Sequence, residues 1–495
     1  MLVFLAPAGA SDACSTGCPG MNPPVRAALP RHYISSALTG ARKPEMNRHL
    51  AATATCLAAL IAPFGAFAGV SAEQAARLKT ELTPLGAEKA GNKDGTIPAW
   101  TGGYTTPIPG DKPGGRRGDP FKDEKPLYSI DAKTVDQHAD KLSDGTKAML
   151  KKYPESFRVD VYKTHRTAAA PQWVYDNTFK NATQAKASGD QIEGAYGGIP
   201  FPIPKSGAEV MWNHILRWRG TSWQFQTNMY QITADGKAVL TTDGVGDSVA
   251  PYYQPEGPSD KWNGDFWLVR VVNSGPPIRA GEAIVGRENV DYAKSQSWVY
   301  LTGQRRVRKL PNPCCDTPAP VTAGVMSLDE IEVFTGRLEQ FDWKLIGKRE
   351  MIVPYNTNRL LQPTADAEVL AAHHLAPGFM RWELHRVWVV EATLRDGKRH
   401  QARKSRYYCD EDTWTCVLGD RWDANGQLWK QLWANTFIAP DLPGVLVGSF
   451  GFDDLLAGTA FVANLYNQKK AHYSIVQQFS DGHFTPDGLA AGGAR

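Results

Sequence analysis

The chain has 495 residues, with 55 basic against 51 acidic side chains and a formal net charge of +4. That near-balance leaves no polyanion footprint and argues against nucleic acid as a partner. The length is enough for a large core built of two or three subdomains.

Residues 1–45 are rich in Pro, Ala and Gly, contain Cys14 and Cys18, and show neither helical nor strand periodicity. They read as upstream sequence translated in error or as a disordered extension. Residues 46–68, MNRHLAATATCLAALIAPFGAFA, have the layout of a bacterial secretory signal peptide. Arg48 and His49 precede an apolar run over 50–67, which ends in the small-x-small tripeptide Ala66-Phe67-Ala68. Cleavage is expected between Ala68 and Gly69, with Met46 as the initiator. A membrane anchor is the competing reading, but Pro63 and Gly65 interrupt a run already short of the ~20 apolar residues a span needs. Gly69 stands where a lipoprotein needs its lipid-bearing Cys. The expectation is a periplasmic protein, with peripheral contact to the outer membrane.

Removing residues 1–68 takes away five basic and two acidic side chains, leaving 50 against 49, and keeps all fifteen Trp. Region 69–195 reads as helical and extended. SAEQAARLKTELTPLG (71–86) is a short helix stopped by Pro84 and Gly86, and 90–125 is a Gly/Pro-rich stretch suited to lying extended over a surface. Helical pattern returns over 132–152, with a break at Asp144-Gly145.

Region 196–495 opens with the rigid run GGIPFPIPKSG, followed by an amphipathic helix over 208–220. From Thr221 onward, alternating apolar and polar runs are separated by Asx-Gly turns at Asp235-Gly236, Asp396-Gly397 and 423–426. Regular hairpins of this kind build an antiparallel β-meander with one wet face and one face that packs or opens onto a hollow. The fold class expected is α+β, mostly β.

Four cysteines lie beyond residue 68. Cys409 and Cys416 flank a six-residue polar turn; if Asp410 pairs with Thr415, the two face each other across neighbouring strands at disulfide range. Cys314 and Cys315 are adjacent, so a bond between them would be strained, and both free thiols and a vicinal bridge stay open.

Catalytic signatures are absent from the sequence. It has no phosphate-binding G-x-x-x-x-G-K-[ST] and no G-x-S-x-G elbow. Gly244-Val245-Gly246 lacks the third glycine of a dinucleotide fingerprint and reads as a turn, and Gly246-Asp247-Ser248 has no companion Asp-x-x-His. His373, His374 and His385 are not at metal-site spacing, and Asp410, Glu411 and Asp412 read as a solvated turn. No catalytic residue, metal ligand or cofactor is assigned. The basic run 305–309 reads as a solvated strand face that protects a sheet edge.

GGIPFPIPKSGAEVMWNHILRWRG (197–220), WVYLTGQRRVRKLPN (298–312), FTGRLEQFDWKLIGKREMIVPYN (334–356) and RYYCDEDTWTCVLGDRWDANGQLWK (406–430) together resemble the DUF1329 family. The resemblance implies a periplasmic protein similar in fold to lipoprotein carriers: a large curved antiparallel sheet, half-open as a barrel, with helices on or in the concave face. It also implies an outer-membrane DUF1302-type protein and an RND-type exporter as partners. It carries over no binding residue, and Cys314-Cys315 departs from the family's pattern. The reading that follows is a carrier or adaptor that binds a hydrophobic small molecule or lipid. Trp212, Trp218, Phe225, Met229, Trp343, Met351, Trp382 and Trp388 are the expected groove lining. The alternatives are an interaction scaffold strapped to a partner by 90–125 and, last, a hydrolase of hydrophobic compounds.

Overall fold

The computed structural model describes residues 69–112, 114–258, 261–311, 313–470 and 473–493. Ala68, the expected signal peptide and the extension before it lie outside them. Two short strands, β1 (Tyr128–Ile130) and β2 (Val159–Tyr162), precede a small hairpin of β3 (Lys186–Ser188) and β4 (Gln191–Glu193). A six-strand run follows: β5 (Ser222–Ile232), β6 (Ala238–Val249), β7 (Asp265–Gly275), β8 (Ala283–Asn289), β9 (Gln296–Leu301) and β10 (Arg306–Lys309). The long β11 (Phe341–Pro354) comes next, then a two-residue hairpin, β12 (Leu370–Ala371) with β13 (His374–Leu375). A second run contains β14 (Trp382–Leu394), β15 (Lys404–Asp410), β16 (Cys416–Trp422), β17 (Leu428–Ala439), β18 (Gly444–Asp454) and β19 (Ala460–Ala463). The last strand is β20 (Tyr473–Ile475).

Sixteen of these strands form one sheet that does not close into a barrel. Each run is a meander of neighbours in sequence, as the Asx-Gly turns require; Gly236, Gly397 and Gly426 all take positive φ there. The two runs are joined through β19, which pairs with β5; β20 pairs with β5 further along the same edge. Every pairing in the sheet is antiparallel except β2 with β14. The basic run 305–309 supplies β10, the strand at one end of the order, with Arg306, Arg308 and Lys309 exposed.

The second run is buried on both faces. On β14, Trp388, Val390 and Ala392 pack into one core, while Val387 and Val389 pack into the other. Its strands are therefore more continuously apolar than a half-wet meander would be.

Helices are short. Among them α1 (Ala72–Ala76) carries a capping box of Ser71 with Gln74. The helix expected over 132–152 is split: Ser143 caps α2 (Asp144–Lys152), so the break falls just before the Asp-Gly pair. After α3 (Gln172–Gln184), α4 (Gly207–Ile215) starts at its cap Ser206 and stops well before Gly220. The arginines beyond it end it: Arg217 donates to the carbonyl of His214 at 2.6 Å and Arg219 to that of Ile215 at 3.0 Å. Helix α4 packs on β11 and β14, with Gly207 pressed against the backbone of Trp343 and Lys344. The remaining helices are α5 (Asp366–Val369) and α6 (Pro486–Gly493).

Candidate ligand-binding cavity

Period-two alternation puts Trp223, Phe225 and Met229 of β5 on one face of the sheet, with Trp267, Val269 and Val271 of β7 and Ile284 and Gly286 of β8 beside them. Together they floor a cavity. Its end is closed by Val447 and Phe450 of β18, Ile215 of α4, and Tyr473. Its roof is the irregular 313–337 segment, which contributes Cys314, Val321, Leu328 and Ile331. The cavity, counted with its open mouth, holds about 1310 Å³. The walls are apolar with a few polar groups, among them Glu288, Glu332 and Arg337, the usual composition of a small-molecule site.

Two glycines make room here. Gly246 lies opposite Phe225 in β6, and a Cβ would meet that ring at 2.1 Å. The Gly244-Val245-Gly246 run is therefore mid-strand, not a turn: Phe225 lies over Gly246, and a Cβ at Gly244 would meet the Val272 carbonyl oxygen at 2.2 Å. Gly286 on β8 keeps the floor low; a Cβ there would reach Val269 at 3.1 Å.

The roof is held by buried ion pairs. Arg421 of β16 donates to Asp329 at 2.9 Å, Lys430 of β17 to Glu330 at 2.8 Å, and His400 lies 2.9 Å from Asp329. The Arg421 guanidinium and the His400 hydrogen bond hold the Asp329 carboxyl far below the usual carboxylate range against the opposing effect of burial. Glu332, on the same segment, is paired to Arg217 and Arg219.

Of the eight residues expected to line a groove, Phe225 and Met229 line this cavity. Trp212 is fully buried behind it and stacks on the lining residue Tyr292 at 5.7 Å. Trp218 is buried with its indole N–H on the carbonyl of Pro443, and Trp343 packs edge-on against Phe334. Trp388 stacks on Trp414, and Met351 lies in the core of the opposite face. Trp382 lines a smaller pocket of about 410 Å³ on that opposite face, with Trp433 and Asp453. Burial alone pushes the Asp453 carboxyl up to about 8. Sequence reasoning missed Trp223, Trp267 and the whole roof. The first was within reach, two residues before Phe225 on the same strand face.

Cys409 and Cys416 are bonded to each other, with Asp410 N–H donating to the Thr415 carbonyl at 2.9 Å beside them. Cys314 and Cys315 form a vicinal disulfide at the cavity wall.

The Asp410-Glu411-Asp412 turn is not solvated. All three residues are at most 2 % exposed, because the chain around 86–98 and 164–168 covers them. Arg166 takes Asp412 in a two-pronged pair at 2.8 and 2.7 Å, and Arg386 takes Glu411 at 2.7 Å. His385 stands between Glu383 and Asp410; its hydrogen bond to Glu383 and the nearby Asp410 charge raise its basicity despite burial. His385, Asp410 and Asp412 bring their ligand atoms within 4.8 Å of one another. Asp412, however, is fully engaged by the Arg166 cation, which makes the cluster a poor metal cradle. Its chemistry is that of an internal salt-bridge network tying the N-terminal region to β14 and β15. His374 is buried against Phe157 and Ser156.

Comparison with known proteins places this architecture. Among solved structures, the chain is similar to a DUF1329 family protein from Desulfovibrio piger, with 16 % identity, a TM-score of 0.38, and coverage of 55 % of this chain and 92 % of that one. It is also similar to a putative outer membrane lipoprotein-sorting protein domain from Vibrio parahaemolyticus, at 12 % identity, a TM-score of 0.40, and 57 % and 98 % coverage. These likenesses are too distant to carry an argument. The Pseudomonas aeruginosa protein PA3922 is 38 % identical over 443 residues, which is 86 % of this chain and 95 % of that one. The profile of the family described as protein of unknown function DUF1329 matches residues 129–490. A relative this close over nearly its whole length, and a profile that spans the sheet from β1 to α6, make this chain a member of the DUF1329 family.

Proposed function

We propose that the protein is a non-enzymatic carrier that holds a hydrophobic molecule in the cavity between the β5–β8 floor and the 313–337 roof. The single observation behind this reading is the cavity itself: a largely apolar space of about 1310 Å³ including its open mouth, beside a β14–β19 run that is packed on both faces. The signal-peptide layout of 46–68 sets the compartment in this reading as the periplasm, and transport at the outer membrane as the task. The DUF1302-type protein and RND-type exporter are the candidate partners.

The scaffold reading has less support, since the 90–125 segment is tied to its own body. Arg117 pairs with Asp441 at 2.7 Å, and the carbonyls of Ala90 and Pro98 accept from Arg386 and Arg166. The hydrolase reading gains nothing from the His385 cluster, which is enclosed and faces acids rather than a nucleophile.

Native mass spectrometry of the protein purified from its own envelope, with solvent extraction of what it holds, tests the carrier. A bound lipid-like mass that is displaced by fluorescent fatty-acid or sterol probes is expected. A reproducibly empty protein that ignores those probes removes the reading.

A further inference from the structure

The charged groups at the cavity wall do not all pair with one another. Arg337 lines the cavity from the roof with its side chain 18 % exposed. Among the described residues its guanidinium donates no hydrogen bond; its nearest carboxylate is Glu339 at 3.9 Å, and it lies 5.9 Å from the ring centre of Tyr292. A guanidinium offers five N–H donors in a planar fork, and leaving them unmet beside apolar walls is costly. Glu288 faces the cavity from β8, and the Arg337 charge acts on it, yet the two groups are not within 4.0 Å. The nearby Ser295 hydroxyl favours the charged carboxyl but does not offset its burial. A gap therefore separates a fork whose donors are unmet, paired only at 3.9 Å with Glu339, from a carboxyl that does not close on it.

Glu332, the other lining carboxylate, is already met by two guanidiniums, Arg217 and Arg219. With Glu339 beside Arg337, three arginines and three acids stand at or just behind this wall, and Arg337 is the arginine of the three that donates no hydrogen bond. Burial pushes the Glu288 carboxyl up to about 7, so near neutrality it is in large part a proton donor rather than a negative charge. Among the lining residues, Arg337 is the cation with unmet donors in an otherwise apolar chamber.

Resting on the carrier reading, we infer that the cargo is an anionic amphiphile, whose carboxylate head sits between Arg337 and Glu288 and whose apolar body lies along Phe225, Met229, Trp267 and Ile284. The planar head matches the Arg337 fork with two parallel N–H···O bonds. The protonated Glu288 donates its O–H to the same carboxylate, so two acids share one proton. A neutral hydrocarbon leaves the fork unmet, and a cationic head faces it directly.

The test uses the full processed chain with cis-parinaric acid and its methyl ester, fluorescent eighteen-carbon probes that differ only at the head. On the wild-type protein the acid is expected to bind roughly ten- to a hundredfold more tightly than the ester, the worth of a charge-assisted hydrogen bond. Arg337→Gln brings the acid down to the ester's affinity and leaves ester binding unchanged; Arg337→Lys keeps part of the preference. Equal binding of acid and ester to the wild type overturns the inference and leaves the carrier reading standing, as does an Arg337→Gln protein that weakens both probes alike. If neither probe binds, the carrier reading itself fails and this one falls with it.

Discussion

The Nδ1 of His385 lies 3.7 Å from Asp410 Oδ1, an oxygen that takes no hydrogen bond, while Nε2 is 3.1 Å from Glu383. All three side chains are buried, and the two acids favour the charged ring against the cost of burying it. His385→Asn is expected to cost about 3–5 kcal/mol in urea unfolding, the usual loss when one member of a buried ionic group is removed. The basicity of His385 is raised on folding, so its contribution is full below about 6.5 and fades as pH rises through the higher folded value. The penalty measured at pH 6 should exceed that at pH 9. An equal penalty at both means that the ring is neutral and merely fills space.

Asp453 predicts a pH trend for the wild type. Its carboxyl is near 3.8 when exposed and about 8 when folded, so the folded state holds a proton the unfolded chain has lost over that window. Stability contributed by this group falls as pH rises from about 4 to 8. Thermal unfolding should occur at a lower temperature at pH 8.5 than at pH 6, and Asp453→Asn should narrow the difference.

Arg421 anchors the roof to β16. Arg421→Met leaves Asp329 and part of the Glu330 charge uncompensated in the interior, with an expected loss of about 3–5 kcal/mol. Amide hydrogen exchange should rise across 313–337 more than across β14–β17, and probe release should quicken. Unchanged exchange in the roof means that His400 and Lys430 hold it unaided.

The Cys409–Cys416 bridge closes a short loop. Replacing both cysteines with Ala is expected to remove about 2–3 kcal/mol, less than for a long loop because little chain entropy is constrained. Urea unfolding of the oxidised and double-substituted proteins gives the difference directly.

Ile284→Trp fills the cavity from its floor. Because the added ring enters existing space, the midpoint of urea unfolding should move little, whereas probe affinity should fall at least roughly tenfold. Undiminished binding places the ligand elsewhere, with the smaller pocket beside Trp382 as the next candidate.

The hairpins were legible because turn chemistry is local: Asp235-Gly236 and Asp396-Gly397 need nothing beyond their neighbours to set register. The Cys409–Cys416 pairing followed from the same local geometry. What failed to show was whatever depends on distant chain. Asp410-Glu411-Asp412 has the composition of a surface turn and becomes interior only when Arg166 and the carbonyls of 88–98 arrive over it. The tryptophans were equally opaque. Trp388 and Phe225 have the same pattern in their strands, but one faces a filled core and the other a hollow, and the difference is made by a roof with no periodic signal of its own.

Met229 pairs with Ala463, and Phe225 with Tyr473. These two cavity-lining residues on β5 therefore gain their strand partners only from chain synthesised after both meanders have been laid down as far as β18. A partly made molecule has β6 on one side of β5 and a bare edge on the other, open to mispairing. The chamber has no finished end wall until residues 460–475 have been made and have folded back. The proposed loading of cargo consequently needs β19 and β20, and a protein truncated after β18 should be both empty and prone to aggregate.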